Sequence, residues 1–178
     1  MSNQQQNNDK LSLDVSFKLM DILRYNMSIA MKNVINIIIL LVGVGCLIFF
    51  GYKCMTTTER LDICITKNIV FVIIPVLIFI SIPGRIWKLT LTQMTQPAFA
   101  NGVNYVFSNE AIRLDIGEAA EDMNWSLFIN IVETKHDFRF YIDTVNAQII
   151  PKHNLSQDEL QQLRKIIKDN ASDRCHLL

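Results

Sequence analysis

Two closely spaced apolar segments constrain the fold of this 178-residue chain more than any other feature. Between Val34 and Phe50 the only polar side chain is Asn36, and the apolar run extends to Tyr52. A helix needs about 20 apolar residues to cross roughly 30 Å of hydrocarbon. Residues 34–52 are therefore predicted to form a first transmembrane helix.

The second segment, residues 69–88, has a shorter apolar core that runs from Ile69 to Ile82. A core of this length also occurs in buried helices of soluble proteins. We favour a second transmembrane helix because the sequence FVIIPVLIFI is apolar on every side, and membrane helices tolerate a proline such as Pro75. Residues 53–68 are then predicted to be a short loop that closes a helical hairpin.

Aromatic and basic side chains at the ends of the two segments suit the membrane–water interface. Four residues are predicted to be interfacial anchors: Tyr52, Arg85, Trp87 and Lys88. Five basic residues flank the outer ends of the hairpin and three lie in its loop. Because cytoplasmic segments carry more Lys and Arg, we expect a multi-pass protein with both termini in the cytoplasm.

The formal net charge of zero conceals an uneven distribution. Residues 1–88 carry nine Lys/Arg against five Asp/Glu, whereas residues 89–178 carry eight against twelve. An acidic C-terminal half is a poor electrostatic partner for nucleic acid. We therefore expect the lipid bilayer and a protein as partners, exclude nucleic acid, and leave self-association open.

The N-terminal region is predicted to contain a disordered tail, residues 1–10, and a strand with a juxtamembrane helix, residues 11–33. Apolar and polar side chains alternate over residues 11–19, which indicates a half-buried strand. The only sheet available to cover its apolar face lies after the hairpin. This pairing requires both ends of the hairpin to be on the same side of the membrane.

Residues 89–170 are predicted to form a cytosolic β domain that ends in a helix. Short alternating runs separated by turns predict antiparallel strands over 103–107 and 112–116, a third strand that begins with Met123 and Trp125, and further strands over 129–134, 138–142 and 147–151. Ser156 and Glu159 form a capping-box pattern before an amphipathic helix. Residues 171–178 are a predicted tail. The expected fold is a membrane α+β protein: a two-helix hairpin plus a small antiparallel, PH-like half-barrel capped by a C-terminal helix.

The sequence contains no recognisable catalytic, cofactor-binding or metal-binding pattern. Its four cysteines lack metal-ligand spacing, and no phosphate-binding loop or nucleophile motif occurs. Cys54 and Cys64 both lie in the predicted loop, where they form either a disulfide, if the loop faces an oxidising compartment, or two free thiols. We expect a protein that is not an enzyme and has no cofactor or metal.

Several short stretches resemble the YcxB-like family of bacterial membrane proteins. They are Tyr105-Val106-Phe107, Asn124-Trp125-Ser126, Ile131-Val132-Glu133, Phe140-Tyr141-Ile142 and Ala147-Gln148-Ile149-Ile150-Pro151-Lys152. The resemblance implies a bacterial inner-membrane location and a PH-like domain, but no reaction. Among the shared residues Tyr105, Trp125, Pro151 and Lys152 are expected to be structural. Trp125 is either a core anchor, which we favour, or a binding-site aromatic.

Two functional hypotheses follow. The first is a non-enzymatic inner-membrane protein whose tethered cytosolic domain binds another protein or senses the membrane state. The second is an immunity protein against a pore-forming or membrane-targeted bacterial toxin, because a helical hairpin can pack against an inserting toxin helix.

Overall fold

The computed structural model of the chain describes residues 10–117 and 119–178. Residues 1–9, most of the predicted disordered tail, lie outside the described residues, and its last residue, Lys10, is exposed directly before the first strand. The chain divides into two compact units. One contains the residues up to Ile22 together with Gln93–Leu178, and the other is Leu23–Thr92.

The described residues form mixed helix and sheet, as predicted. In chain order the elements are β1 (Leu11–Val15), α1 (Leu19–Lys32), α2 (Val34–Thr56), α3 (Leu61–Lys67), α4 (Val70–Met94), α5 (Pro97–Asn101), β2 (Val103–Phe107), β3 (Ala111–Ile116), β4 (Ala119–Asn124), β5 (Asn130–Glu133), β6 (Asp137–Tyr141), β7 (Ala147–Pro151), α6 (Gln157–Ala171) and β8 (Cys175–His176).

The first sheet is antiparallel and has the strand order β1-β2-β3-β4. Leu11 of β1 lies opposite Phe107 of β2, and Val15 lies opposite Val103. The apolar side chains of β1 are buried and its polar ones are exposed. The predicted pairing of the N-terminal strand with a strand beyond the apolar segments is therefore confirmed.

The second sheet has the order β7-β6-β5-β8. Its first three strands are antiparallel, and β8 pairs with β5 in parallel through Ile131 and Val132. This last strand lies within residues 171–178, for which only a tail was predicted. Two residues carry too little periodicity to indicate a strand, so β8 depends on the open edge that β5 offers.

The core of the β unit lies among both sheets and α6. The ring of Phe140 lies 5.8 Å from that of Phe107, 5.6 Å from Phe128 and 6.4 Å from Trp125. Leu163 and Ile167 of α6 are fully buried in the same cluster. The predicted capping box starts this helix: Glu159 N–H donates to Ser156 Oγ, and Ser156 N–H donates to the Glu159 carboxylate.

The helical unit contains two helices that are long and apolar enough to cross a membrane, α2 with 23 residues and α4 with 25. They contact each other: the rings of Phe49 and Phe71 lie 4.7 Å apart, and a Cβ on Gly43 would lie 3.5 Å from Ile78. These contacts pair the two helices in opposite directions. Most of their apolar side chains are exposed.

Several boundaries differ from the sequence-based predictions. The first strand ends at Val15 rather than residue 19, because Asp21 accepts a hydrogen bond from Lys18 N–H at the start of α1. Residues 53–68 are not a simple loop, since α2 continues to Thr56 and α3 follows. Helix α4 passes Pro75 and Pro83 and continues to Met94, beyond the predicted residue 88.

The third predicted strand also needs correction. It ends at Asn124, and Trp125 lies in a 3₁₀ turn rather than in a strand. The Asn124 side chain accepts a hydrogen bond from Ser126 N–H, which caps this turn and ends the strand.

Candidate functional site

Three of the four residues that carry the family resemblance contribute to the core of the β unit. Tyr105 is 2% exposed and donates its hydroxyl to Gln148 Oε1 at 3.1 Å. Burial raises the pKa of Tyr105, so the phenol stays protonated. Trp125 donates its indole N–H to the Ser108 carbonyl at 2.8 Å, and Pro151 is buried as the last residue of β7. None of these three presents a surface to a ligand.

Lys152 belongs to a charge cluster around Glu133, whose side chain is inaccessible to solvent. The Lys152 ammonium lies 2.6 Å from the Glu133 carboxylate and 5.2 Å from the centre of the Phe138 ring. Arg164 of α6 donates to the same carboxylate at 2.6 Å, and the backbone N–H of Leu178 donates at 3.0 Å. This carboxylate joins β5, the end of β7, α6 and the C-terminus.

Two opposing effects set the pKa of Glu133. Burial raises the pKa, but hydrogen bonds from Arg164, Lys152 and the Leu178 N–H, with the charge of Lys152, lower it by more. The net result is a pKa below the ordinary value, so Glu133 is ionised at neutral pH. The cluster is saturated with partners and has no open position for a substrate.

The residues that follow the shared Pro151 hold the N-terminal segment in place. We call residues 152–154 the junction segment. His153 Nε2 lies 2.9 Å from Asp21 Oδ2, and Asn154 Nδ2 donates to the Ser16 carbonyl at 3.0 Å. Ser16 in turn donates its backbone N–H and hydroxyl to Asn154 Oδ1. Three consecutive side chains therefore bond to three separate parts of the β unit.

An Asp–His pair near a serine invites comparison with hydrolase triads, where a histidine accepts the serine proton. Here the Ser16 hydroxyl donates to Asn154 at 2.9 Å and not to His153. The junction segment therefore has a structural role: it holds Ser16 and Asp21 of the N-terminal segment in place. Sequence reasoning missed it because the partners lie more than 130 residues apart and follow no local pattern.

A second buried ion pair stabilises β6. Arg139 Nε lies 2.8 Å from Asp137 Oδ1, and Thr134 donates its hydroxyl to the same oxygen at 2.7 Å. Burial lowers the pKa of Arg139, but its bonds to Asp137 and Tyr141 raise it by more, so the guanidinium remains charged. The contacts of Asp137 and Arg139 are thus made within the β unit, as are those of Glu133.

Among the described residues, β4 is an outer strand of the first sheet. Strand β4 pairs with β3 on one side only, and Ala119, Ala120, Glu121 and Asp122 are all exposed. Leu127 and Ile129, which follow β4, are 42% and 56% exposed. We call Ala119–Asn124 the β4 edge. It offers unpaired backbone groups and two carboxylates, flanked by apolar side chains.

The remaining predicted residues lie in the helical unit. The Sγ atoms of Cys54 and Cys64 lie 3.1 Å apart as free thiols, Cys54 near the end of α2 and Cys64 in α3. The predicted anchors Tyr52, Arg85, Trp87 and Lys88 are all exposed, Tyr52 at 62% and Trp87 at 45%. In the described part of the chain, no three His, Cys, Asp or Glu side chains are grouped to hold a metal ion.

Comparison with known proteins supports the resemblance found in the sequence. The family described as YcxB-like protein matches residues 107–167, from the end of β2 into α6. This stretch contains the Glu133 carboxylate, the junction segment and the β4 edge. No curated protein and no solved structure matches the chain significantly.

Proposed function

We propose that this YcxB-like protein is a non-enzymatic protein of the bacterial inner membrane whose tethered cytosolic domain, a PH-like half-barrel, binds a protein partner. The observation that carries the proposal is the construction of the β unit from both sides of the apolar helices. Strand β1 precedes those helices in the chain and pairs with β2, which follows them. Both ends of the helical segment therefore return to one folded unit.

Two further contacts support a firmly tethered domain. Ser16 bonds to Asn154 and Asp21 bonds to His153, directly before and within the first turn of α1. If α2 and α4 span the bilayer, the chain connects the β unit to the membrane helices at two points.

The β4 edge supplies the binding surface. An extended peptide can add to an open sheet edge through main-chain hydrogen bonds, and side chains beside the edge determine specificity. Glu121 and Asp122 favour a partner strand that carries Lys or Arg, while Leu127 and Ile129 favour neighbouring apolar residues. We therefore propose a basic, extended segment of a protein as the ligand.

Site-specific photo-crosslinking in bacterial membranes tests the proposal. A photo-reactive amino acid at Ala120, on the β4 edge, should give a discrete adduct that one at Gln161, exposed on α6, does not. Asp122→Lys should reduce the adduct several-fold because it reverses a charge at the edge. The matched change Asp169→Lys, on α6, should leave it intact.

Three outcomes would count against this assignment: equal adducts from both positions, no adduct from the full-length protein, or equal loss in the two charge variants. An adduct of twice the chain mass would identify a second copy as the partner. That result would place self-association, rather than a different protein, at the β4 edge.

Immunity against a membrane-targeted toxin is the second candidate function. It draws on the apolar surfaces of α2 and α4, most of whose side chains are exposed in the described chain. Such helices can pack against another helix inserted in the same bilayer. Where a gene for a membrane-targeted toxin lies beside the gene for this protein, deletion of the latter should reduce cell viability. Unchanged survival of the deletion strain while the toxin is active would refute immunity.

A further inference from the structure

A groove within the helical unit combines an apolar wall with unpaired positive charge. It has a volume of about 560 Å³ and is lined by residues of α1, the beginning of α2 and the C-terminal half of α4. All lining residues lie within Leu23–Thr92, so the groove belongs to one compact unit.

The wall of the groove is apolar. Ile82 and Ile86 lie one turn apart on α4 and are 8% and 7% exposed, and Ile29 and Ala30 face them from α1. Asn26 is buried and donates to Thr90 Oγ1 at 3.0 Å, which joins α1 to α4 beside the groove. The wall is thus held by a side-chain hydrogen bond as well as by packing.

Positive charge lies at the same place. Arg85 and Lys88 line the groove and are three residues apart, hence neighbours on one helix face. Within residues 10–117 and 119–178 neither side chain forms an ion pair, and no acidic residue lines the groove. Every other feature of the groove is neutral, so its complement is an anion with an apolar extension.

We propose that this groove binds one anionic phospholipid. The phosphate lies between Arg85 and Lys88, and an acyl chain lies along Ile82 and Ile86. The inference rests on the proposed membrane location, because these cations follow the apolar core of α4 and would then be at headgroup depth. A free phosphate would satisfy the charges but leave the apolar wall uncovered, whereas a phospholipid covers both.

Native mass spectrometry of the full chain in detergent tests this proposal. Phosphatidylglycerol, phosphatidylcholine and inorganic phosphate are added separately at equal concentration. We expect retained phosphatidylglycerol and little phosphatidylcholine or phosphate. In the double variant Arg85→Gln/Lys88→Gln, phosphatidylglycerol affinity should fall about thirtyfold, since each basic residue at an anionic surface contributes roughly fivefold.

A matched variant separates a site from general surface charge. Lys53→Gln/Arg60→Gln removes two cations at the opposite ends of the helices and should retain phosphatidylglycerol. Equal loss in both double variants would overturn the proposal, as would equal retention of phosphatidylcholine. Displacement of phosphatidylglycerol by inorganic phosphate at similar concentration would assign the site to a free anion instead.

A filled groove provides a second check that does not alter charge. Ala30→Phe places a ring in the groove and should weaken phosphatidylglycerol binding while the helix content, from circular dichroism, stays unchanged. Unaltered binding in a folded Ala30→Phe protein would contradict the proposed acyl-chain position. Membrane fractionation separates the two proposals: a protein that fractionates with the membrane but does not bind phosphatidylglycerol loses only the lipid site.

Discussion

Glu133 is a residue on which polar contacts from several elements of the β unit converge. Its carboxylate accepts hydrogen bonds from Arg164, Lys152 and the Leu178 backbone, and its side chain has no solvent exposure. Removing one partner of a buried charge cluster leaves the others without compensation, which costs more than the cluster contributed. The cluster is therefore sensitive to a change as small as the replacement of one carboxylate oxygen of Glu133 by an amide nitrogen.

We expect Glu133→Gln to lower the free energy of unfolding by about 3 kcal/mol, because Lys152 and Arg164 would remain charged beside a neutral amide. Urea unfolding of the full chain in detergent, followed by tryptophan fluorescence, measures this. Glu110→Gln is the matched control, since Glu110 is exposed in the turn after β2. A loss below 0.5 kcal/mol, about the effect of a surface change, would contradict a central role for Glu133.

The same cluster predicts a pH dependence of stability. The pKa of Glu133 in the folded protein lies below its ordinary value of 4.5, so the unfolded chain binds this proton more readily. The stabilisation is then present above about pH 4.5 and is lost as the pH falls through the folded-state pKa. The difference in unfolding free energy between wild type and Glu133→Gln should shrink below pH 4.5, and a constant difference down to pH 3 would contradict this.

At the scale of elements, the connection between the two long apolar helices is more ordered than a loop. Helix α3 occupies Leu61–Lys67, and Lys67 bonds to Glu59 at 2.6 Å. The connection positions Cys54 and Cys64 with their sulfur atoms 3.1 Å apart. The sequence left a disulfide between these two cysteines as one of two alternatives. The approach of their sulfur atoms depends on α3, which folds back on α2.

We expect Cys54 and Cys64 to form a disulfide if α2 and α4 span the membrane and the connection faces the periplasm. Each thiol loses a proton and an electron to a disulfide oxidant of that compartment. Alkylation with a maleimide polymer in denaturant should modify two of the four cysteines before reduction and all four after it. In the control variant Cys64→Ser, Cys54 should react with the maleimide without prior reduction. Modification of all four cysteines of the wild-type protein without reductant would refute the disulfide.

At the scale of the whole molecule, the pairing of β1 with β2 restricts topology. A strand before the apolar helices and a strand after them belong to one sheet, so both must be on the same side of any membrane that the helices cross. The excess of Lys and Arg at the outer ends favours the cytoplasmic side.

Labelling with a membrane-impermeant thiol reagent tests the topology. In variants with a single cysteine, Glu59→Cys should react in cells whose outer membrane alone is opened, whereas Ser2→Cys and Cys175 should react only after the inner membrane is opened. Reaction of Ser2→Cys and Cys175 from opposite sides would contradict the β1–β2 pairing. Reaction of Ser2→Cys and Cys175, but not of Glu59→Cys, in intact spheroplasts would reverse the proposed orientation.

Local patterns in the sequence were sufficient for much of this protein. Alternation over residues 11–19 and 103–107 predicted β1 and β2, although β1 ends at Val15. The apolar runs predicted two long helices, and Ser156 with Glu159 predicted the start of α6. The family resemblance, carried by short stretches such as those around Trp125 and Pro151, is confirmed by the match over residues 107–167. Each of these features depends on neighbouring residues, whose periodicity or spacing is visible in the chain.

Tertiary structure alone decided the features that join distant residues. The Glu133 cluster, the contacts of the junction segment with the N-terminal segment, and strand β8 all unite residues whose separation follows no period. So does the groove beside Arg85 and Lys88, which needs α1 to lie against α4. Burial of a polar group depends on which elements cover it, and that is settled only when the sheets and helices pack.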